Sequence, residues 1–260
     1  MKTSLITLSA CLVLAGGAFS EDYTRTETLT FTLSQGDDVE IYNINGDIIL
    51  EESGASDLEL TYVISCDDLE TLDHINVEFD TGDGLECSVE YDDDWDDFGD
   101  NSVDFTVYVP AGTELGYEIA FVNGNIVLSG GSGASRLELV NGDISVEGFE
   151  GDLVTSLVNG NIELSGSSGL KKAELVSGSI NCELSSILND IELDAVSGDV
   201  NLDLLTSARV VVETISGEIA ISSDYNATVE ENYVGRSSEF GDGEFTVVIN
   251  TISGNVSVKD

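Results

Sequence analysis

The chain has 260 residues, and its 51 Asp and Glu against eight Lys and Arg give a formal net charge of −43 at pH 7. This charge repels nucleic acid and anionic lipid, so it excludes polyanion-binding functions and favours cations and solubility. The acidic residues are spread along the whole chain, and we interpret them first as a surface adapted to salty surroundings, where counter-ions screen the repulsion. A dedicated polycation or metal-binding role is the alternative.

Residues 1–20 have the pattern of a secretory signal peptide. Lys2 provides the positive start, Leu5 to Ala15 an apolar stretch, and Ala18-Phe19-Ser20 a small-x-small cleavage site. A lipobox at Leu8-Ser9-Ala10-Cys11 is the alternative, although it leaves few apolar residues before the cysteine. No later stretch approaches the ~18 apolar residues of a membrane-spanning helix. We expect cleavage near Ser20 and a mature chain in the periplasm, at the cell surface or secreted.

Residues 21–116 are predicted to form an N-terminal β region that caps a repetitive structure. This region holds one isolated glycine-centred unit, Ile44-Asn45-Gly46-Asp47-Ile48. Its last strand-like segment, Val103 to Val109, alternates apolar with polar residues and ends at Pro110, the only proline. A repeat stack must cover its open apolar end, so an irregular cap is expected at this place.

A run of aspartates within this region is the one place where side chains of a single functional type cluster in the sequence. Hard carboxylate oxygens suit calcium, which makes a calcium site at Asp92, Asp94, Asp96, Asp97 and Asp100 the specific hypothesis. The spacing departs from an EF-hand loop, because an aspartate stands where the loop needs glycine and no glutamate occupies the twelfth position. A flexible, hydrated loop is the alternative.

A glycine-centred unit returns at regular spacing through residues 117–260. Its pattern is Val or Ile, then Asn or Ser, then Gly, then a residue that is usually polar, then Ile or Val. The spacings are 18, 18, 18, 20, 19 and 37 residues, and one further glycine divides the last interval into 18 and 19. The repeat glycines are Gly124, Gly142, Gly160, Gly178, Gly198, Gly217, Gly235 and Gly254, with Gly46 as the isolated copy. Eight units in phase indicate a repeat architecture.

The period inside each unit is two, which is typical of a half-buried strand. The residues two and four positions after the glycine are apolar, as in Ile144 and Val146, while the residue between them is mostly polar, as in Ser145. No window shows a sustained helical period. The sequence therefore predicts an all-β fold.

Two architectures fit an 18-residue unit. In an antiparallel β-meander, Asn141-Gly142 would be a hairpin turn that pairs Leu139 with Ile144. In a parallel β-solenoid, or β-helix, each unit is one coil and the glycine is a corner with positive φ. The residue before the glycine is Asn in three successive units and then Ser in three, which is expected when equivalent positions stack directly. We favour a single-domain solenoid.

Three cysteines remain after cleavage. Cys182 falls in the inward column that Val146 and Leu164 occupy in other units, so we expect a buried, inert thiol. Cys66 and Cys87 lie in the N-terminal region beside strand-like segments, and we predict a disulfide between them that closes a loop of about 20 residues and contributes ~3 kcal/mol.

Catalytic chemistry has little support in the residue pattern. His74 is the only histidine, no nucleophile motif accompanies it, and we interpret it as a solvated surface residue. Zinc would need a ligand spacing that the scattered cysteines do not provide. A glycoside hydrolase needs only two carboxylates, and carboxylates occur everywhere in this chain, so their presence decides nothing.

These motifs together resemble a bacterial family of unknown function that is labelled "putative adhesin". The resemblance is carried by the isolated Gly46 unit, by the strand end Val107-Tyr108-Val109-Pro110-Ala111-Gly112 and by the tandem repeats, from about Val39 to Val258. It implies a β-helical exported or cell-envelope protein without established catalytic residues.

The function that we expect is therefore that of a non-enzymatic structural or binding protein of the cell envelope or the extracellular space, with an envelope, matrix or surface partner that the sequence does not name. A β-helical carbohydrate-active enzyme and a calcium-dependent envelope protein are the alternatives.

Overall fold

The computed structural model describes residues 9–14, 23–82, 84–92, 99–225, 227–231 and 235–259. The described residues form β-strands and two short 3-10 turns, Thr71–His74 and Ser223–Tyr225, and they contain no α-helix. In chain order the strands are β1 (Ser9–Leu14), β2 (Tyr23–Phe31), β3 (Asp38–Tyr42), β4 (Ile48–Ser53), β5 (Leu58–Cys66), β6 (Ile75–Asp80), β7 (Gly84–Tyr91), β8 (Asn101–Pro110), β9 (Gly116–Asn123), β10 (Ile126–Ser129), β11 (Ser135–Asn141), β12 (Ile144–Glu147), β13 (Leu153–Ser165), β14 (Leu170–Leu184), β15 (Ile191–Leu204), β16 (Arg209–Ser216), β17 (Ile219–Ile221), β18 (Glu230–Glu231), β19 (Arg236–Phe240), β20 (Thr246–Ser253) and β21 (Val256–Lys259).

The repeats stack in parallel, one coil on the next. Leu137 lies between Ile119 and Thr155, each 18 residues away, in the parallel pairs of β11 with β9 and with β13. Leu139 pairs with Phe121 and Leu157 rather than with Ile144. The antiparallel meander is therefore wrong, and the like-on-like order of Asn and Ser reflects direct stacking.

Each coil has two faces that meet at the repeat glycine. We call the strand before the glycine the front face (β9, β11, β16, β20 and the first halves of β13, β14 and β15). The strand after it is the back face (β10, β12, β17, β21 and the second halves of the same three strands). In β13, β14 and β15 the strand passes through the corner without a break, so both faces belong to one continuous pairing network.

The core is a set of columns that run along the stack. The position two after the glycine is fully buried in the inner coils, as Ile126, Ile144, Ile162 and Ile180 show, and the position four after it is buried as well. The residues between them point outward. This confirms the predicted two-residue alternation and places each buried side chain on its counterpart in the next coil. Fully burying one Ile or Leu contributes about 1.5–3 kcal/mol, so the columns provide most of the stabilisation.

The order of coils in the stack differs from their order in the sequence at the C-terminal end. Strand β20 lies between β15 and β16, so that Ile249 pairs with Leu193 on one side and with Val212 on the other. Strand β21 lies between β15 and β17 in the same way. The Gly254 coil, although last in the sequence, is thus inserted between the Gly198 and Gly217 coils.

Gly235 is not a repeat corner, and the prediction of a unit there is wrong. It precedes β19, which runs antiparallel to β16 with Ser238 opposite Val212. The β19 strand, with the short β18 on its other side, therefore forms an antiparallel extension beside the Gly217 coil instead of a coil of its own. The 18- and 19-residue intervals around Gly235 match the repeat period, but the segment lacks the apolar-polar-apolar triplet that fills the two inward columns.

At the N-terminal end, too, a coil lies between segments that do not neighbour it in the sequence. The isolated unit at Gly46 stacks directly on the Gly124 coil, since Asn45 bridges to Asn123 and β4 pairs in parallel with β10. Outside it, β7 pairs with β3 and β8 with β4. The front face is then extended by β6, and the back face by β5 and β2, all antiparallel.

Aromatic rings fill the core at this N-terminal end. Phe79 lies 5.9 Å from both Phe31 and Tyr62, and Tyr62 lies 6.2 Å from Phe105, measured between ring centroids. These large side chains bridge the two faces where the regular columns of aliphatic residues end.

The backbone of β1 pairs antiparallel with β2. This strand falls within the predicted signal peptide, and cleavage near Ser20 stays a prediction. In the described part of the chain, no helix has the length and apolar character needed to cross a membrane.

Candidate functional site

The corners between the two faces can be formed only by glycine. The φ angles of Gly124, Gly142, Gly160 and Gly178 lie between +132° and +139°. A Cβ on Gly142 would lie 1.6 Å from the carbonyl oxygen of Gly124, and a Cβ on Gly160 would lie 1.7 Å from that of Gly142. Positive φ and direct contact with the neighbouring coil both exclude a side chain. The predicted positive φ is found at these four corners and at Gly46. At Gly198, Gly217 and Gly254 the φ angle lies outside the left-handed region, so only the close contact with a carbonyl group of the neighbouring coil disfavours a side chain there.

Two ladders of polar side chains flank the corner glycines. Within each ladder, hydrogen bonds join a side chain to the neighbouring coil. Before the glycine, the amide of Asn141 donates to Asn123 Oδ1 at 2.9 Å, and that of Asn159 donates to Asn141 Oδ1 at 2.9 Å. After the glycine, the backbone N–H of Asn161 donates to Asp143 Oδ1 at 2.7 Å, and the N–H of Asp143 donates to Asn125 Oδ1 at 3.0 Å. These ladders hold the coils in register.

A row of exposed β-branched side chains runs along the stack beside the first ladder. We call this row the aliphatic stripe. One residue comes from each coil, immediately before the Asn or Ser of the corner, and the exposed fraction of each lies between 38% and 56%. In stack order the stripe consists of Ile44, Val122, Val140, Val158, Val176, Val196, Ile252 and Ile215. Single exposed hydrophobic residues are common on protein surfaces, but eight in one unbroken row form a continuous apolar patch.

Seven of the eight stripe residues, all except Ile44, form one wall of a groove of about 1050 Å³ on the outside of the front face. The neighbouring outward column, two residues earlier in each coil, forms the other wall. Along the stack that column consists of Ala120, Glu138, Ser156, Glu174, Asp194, Asn250 and Glu213. The groove is thus apolar along one side and acidic along the other.

Two basic residues partly neutralise the acidic wall. The ammonium of Lys172 lies 3.0 Å from Glu174, 3.0 Å from Glu192 and 3.3 Å from Asp194, and these carboxylates raise the pKa of Lys172 above its ordinary value. Arg136 pairs with Glu138 at 2.5 Å. Among the described residues, no basic side chain pairs with Glu213. Arg236, which lines the groove at its β16 end, is a third cation. Lys172 and Arg236 also pair with Glu192 and Glu231 outside the wall, so the four wall carboxylates still leave it net negative.

Hydrogen-bonded polar residues line the two ends of the groove. At one end, Arg236 donates to the carbonyl oxygen of Gly217 at 2.6 Å and to Glu231 at 3.0 Å. At the other end, the amide of Asn43, which is buried, donates to the carbonyl oxygens of Val103 and Asn45 at 2.7 and 3.1 Å. Between these ends, the groove extends along the stack from Val122 to Ile215.

A second groove, of about 460 Å³, lies on the outside of the back face. It is lined mainly by polar side chains, among them Glu163, Asn181 and Asn201. Asn201 donates to Asn181 Oδ1 at 2.9 Å, and Asn181 donates to Ser179. Some of the polar groups that line this second groove are therefore already hydrogen-bonded to each other. The front groove offers the larger apolar surface, and it is the stronger candidate for a binding site.

The family of the chain follows from a match over nearly the whole described sequence. The model of the Toastrack DUF4097 family matches residues 23–259. The chain belongs to this family. The match includes the N-terminal region and all the stacked coils, so the reordered ends described above lie within the Toastrack unit.

The solved structures that this Toastrack chain matches share little sequence with it. A putative lipid binding protein from Parabacteroides distasonis has 18% identity and a TM-score of 0.42, with 90% of this chain and 97% of that chain covered. A putative cell adhesion protein from Clostridium sporogenes has 7% identity and a TM-score of 0.38, with 98% and 99% covered. A putative adhesin from Bacteroides fragilis has 11% identity and a TM-score of 0.35, with 92% and 97% covered. A comparison with the curated proteins gives no match.

The aspartate run predicted to bind calcium is only partly within the described residues of the Toastrack chain. Asp94, Asp96 and Asp97 lie outside them. Asp92 pairs with His74 at 3.2 Å, and the carbonyl oxygen of Asp100 accepts the N–H of Asp67 at 3.3 Å. The described residues contain no group of three or more side chains that could hold a metal ion. Calcium binding at this run stays a prediction.

The cysteines require one correction. Cys66 and Cys87 are separate buried thiols, not a disulfide. Cys66 ends β5 between β2 and β8 and donates to the carbonyl oxygen of Asp68, whereas Cys87 lies within β7 between β3 and β6. The two strands belong to opposite faces, which the sequence could not show. Cys182 is buried between Leu164 and Leu202 in the predicted column, and burial raises the pKa of its thiol to about 12.

Sequence reasoning did not single out the aliphatic stripe. The signal was present, because Val or Ile occupies the first position of every clear unit, immediately after a buried residue and therefore in the outward phase. An apolar residue that recurs in the outward phase is unexpected on a solvated surface. That conflict between residue type and phase would have identified the stripe.

Proposed function

We propose that this Toastrack chain is an exported, non-enzymatic binding module of adhesin type that acts in the cell envelope or outside the cell. The aliphatic stripe carries the proposal. Water-exposed aliphatic side chains cost free energy, and a row of eight at one repeated position is retained most simply if a partner covers it.

The stripe suits a partner that makes many weak contacts. Fully burying a Val or Ile contributes about 1.5–3 kcal/mol, and roughly half of each side chain remains exposed, so each coil offers about 0.7–1.5 kcal/mol. Association itself costs roughly 4–15 kcal/mol, so a few coils do not suffice. Useful affinity requires an extended partner that covers most of the stripe, which is the binding mode of repeat proteins.

The proposal is tested with the protein purified from the producing cells in its processed form. Fluorescently labelled protein is added to isolated envelope fragments, and the retained fraction is measured against concentration. We expect saturable retention that falls by about ten-fold in Val158→Asp, because a charged residue interrupts the stripe, and that is unchanged in Val127→Asp. Val127 provides the matched control, since it points outward from the back face in β10.

Two results would overturn this function. Retention that does not saturate, or that is equal in both variants, would remove the stripe from the binding role. Turnover of a polysaccharide that survives in clean preparations and disappears on substitution of a carboxylate pair would instead support the carbohydrate-active enzyme.

A further inference from the structure

The groove on the front face has features that specify the chemistry of its occupant. Building on the proposed binding function, we propose that it takes a basic amphipathic α-helix of a partner protein. The apolar seam of the helix lies on the aliphatic stripe, and Lys or Arg side chains along one flank of the seam face the acidic wall.

The length and spacing of the stripe favour a helix over an extended strand. Neighbouring coils are about 4.8 Å apart, so eight coils present one apolar residue per step over about 34 Å. A helix presents its seam once per turn, every 5.4 Å, and differs from the coil spacing by only about 0.6 Å per step. A strand along the same direction presents alternate side chains every ~6.8 Å and loses register after a single step. A helix of about 22 residues covers the stripe.

The charges on the two sides of the stripe favour a basic partner and set its asymmetry. One side carries Glu138, Glu174, Asp194 and Glu213, of which Glu213 has no basic partner among the described residues. The other side is the neutral ladder of Asn and Ser, which includes Asn141. Basic residues are therefore expected on one flank of the helix seam only, with neutral polar residues on the other.

The same charges disfavour the other occupants of an apolar groove. A second copy of the chain would bring two molecules of net charge −43 together and place acidic walls near each other. Anionic lipids and fatty acids would place their head groups beside carboxylates. A cationic amphiphile satisfies the charge but lacks the length that matches eight stacked coils.

The experiment uses synthetic 22-residue peptides and the full processed protein. The first peptide has a Leu seam with Lys on one flank, the second has the same Lys residues with Ser in place of the seam Leu, and the third has Glu in place of Lys. Affinity is measured by fluorescence anisotropy at 0.15 M and 1 M salt, and helicity by circular dichroism. We expect the first peptide to bind with a gain of helicity and at least ten-fold more tightly than either of the others.

Variants of the protein separate the apolar from the electrostatic contribution. Val176→Asp adds a negative charge, so purely electrostatic attraction predicts tighter binding, whereas loss of the seam contact predicts binding that is about ten-fold weaker. Glu213→Gln, which leaves the core untouched, should weaken binding about two- to five-fold and reduce its salt dependence. Val127→Asp and Glu183→Gln are the matched controls on the back face, and neither should change affinity.

Each contrary outcome is decisive. Equal binding of the first two peptides, or tighter binding by Val176→Asp, would reduce the interaction to non-specific charge attraction and refute the helix site. Displacement of the peptide by a cationic detergent below its micelle concentration would point to a lipid-like occupant. Stripe-dependent dimerisation in sedimentation analysis would assign the groove to a second copy. Envelope retention without peptide binding overturns this inference alone, whereas peptide binding without envelope retention overturns the proposed function alone.

Discussion

The corner glycines allow a sharp test of the stacked architecture. In Gly142→Ala, the added methyl group would lie 1.6 Å from the carbonyl oxygen of Gly124, in a backbone with φ of +132°. Gly148→Ala is the matched control, because Gly148 also has positive φ, +68°, but a Cβ there meets nothing within 4 Å. Both substitutions place Ala at positive φ, but the φ of +132° at Gly142 is further from the left-handed α region than the +68° at Gly148, so the conformational cost at Gly142 is at least that at Gly148. Only Gly142→Ala adds the contact with the next coil.

The expected difference follows from these geometries. Placing Ala in a left-handed backbone costs about 1–2 kcal/mol, which is the whole cost at Gly148. At Gly142 the coils must also separate by about 2 Å to reach ordinary contact distance. This movement breaks the hydrogen bonds that join these two coils, from Gly124 N to Asn141 O at 3.0 Å and from Ile126 N to Asp143 O at 2.9 Å. Each is worth about 0.5–1.5 kcal/mol, so Gly142→Ala should cost about 2–5 kcal/mol in total.

Urea unfolding followed by circular dichroism measures both free energies of unfolding. We expect Gly142→Ala to lower the free energy of unfolding by about 1–3 kcal/mol more than Gly148→Ala does. The slope of this free energy against urea concentration should be the same in both variants. Hydrogen exchange should show the added loss of protection concentrated at residues 123–126 and 141–144. Equal losses in the two variants would refute the argument, because the stacked carbonyl would then impose no steric limit on the corner.

Four further predictions follow from other parts of the molecule. Deletion of the residues after Gly243 should expose β16 and β19 to hydrogen exchange while β9 to β13 stay protected, because β20 lies between β15 and β16. Protection of β16 in the truncated chain would contradict the inserted order. Asn141→Ala should lower the free energy of unfolding by about 1 kcal/mol in urea titration, because Asn141 both donates and accepts within the ladder. The raised pKa of Cys182 means that the folded state retains a proton that the unfolded state has lost. The free energy of unfolding should therefore fall as pH rises from about 9 towards 12, and Cys182→Val should reduce this slope measured by urea titration across that range. If the aspartate run from Asp92 to Asp100 binds calcium, millimolar calcium should raise the Tm by calorimetry, and an unchanged Tm would exclude a site formed only in the native state.

The repeat itself could be predicted because it depends on local rules. The two-residue alternation around Ile144 and Val146 identifies a strand with one buried side, and a glycine at a fixed phase identifies a corner. The succession of Asn and then Ser before the glycine indicates direct stacking. The burial of Cys182 follows from its position in the same phase. All of these features repeat every 18 to 20 residues, so the sequence contains several copies of the same information.

The order of the coils could not be predicted, because a local pattern is the same wherever its coil is stacked. The Gly254 unit fits between the Gly198 and Gly217 coils because β20 can pair on both of its edges, and nothing in its own residues distinguishes this place from the end of the stack. Gly235 shows the converse error, since its spacing matches the repeat while the segment after it, β19, pairs antiparallel with both β16 and β18.

Residue type and short-range periodicity are enough to predict the strands, the corners, the buried columns and the strongly acidic character of this protein. The neighbours of each coil, the placement of Cys66 and Cys87 on opposite faces and the joining of outward Val and Ile residues into one stripe emerge only when the chain is folded. A stripe is made by residues 18 or more positions apart in the chain, and their contact depends on how the coils stack.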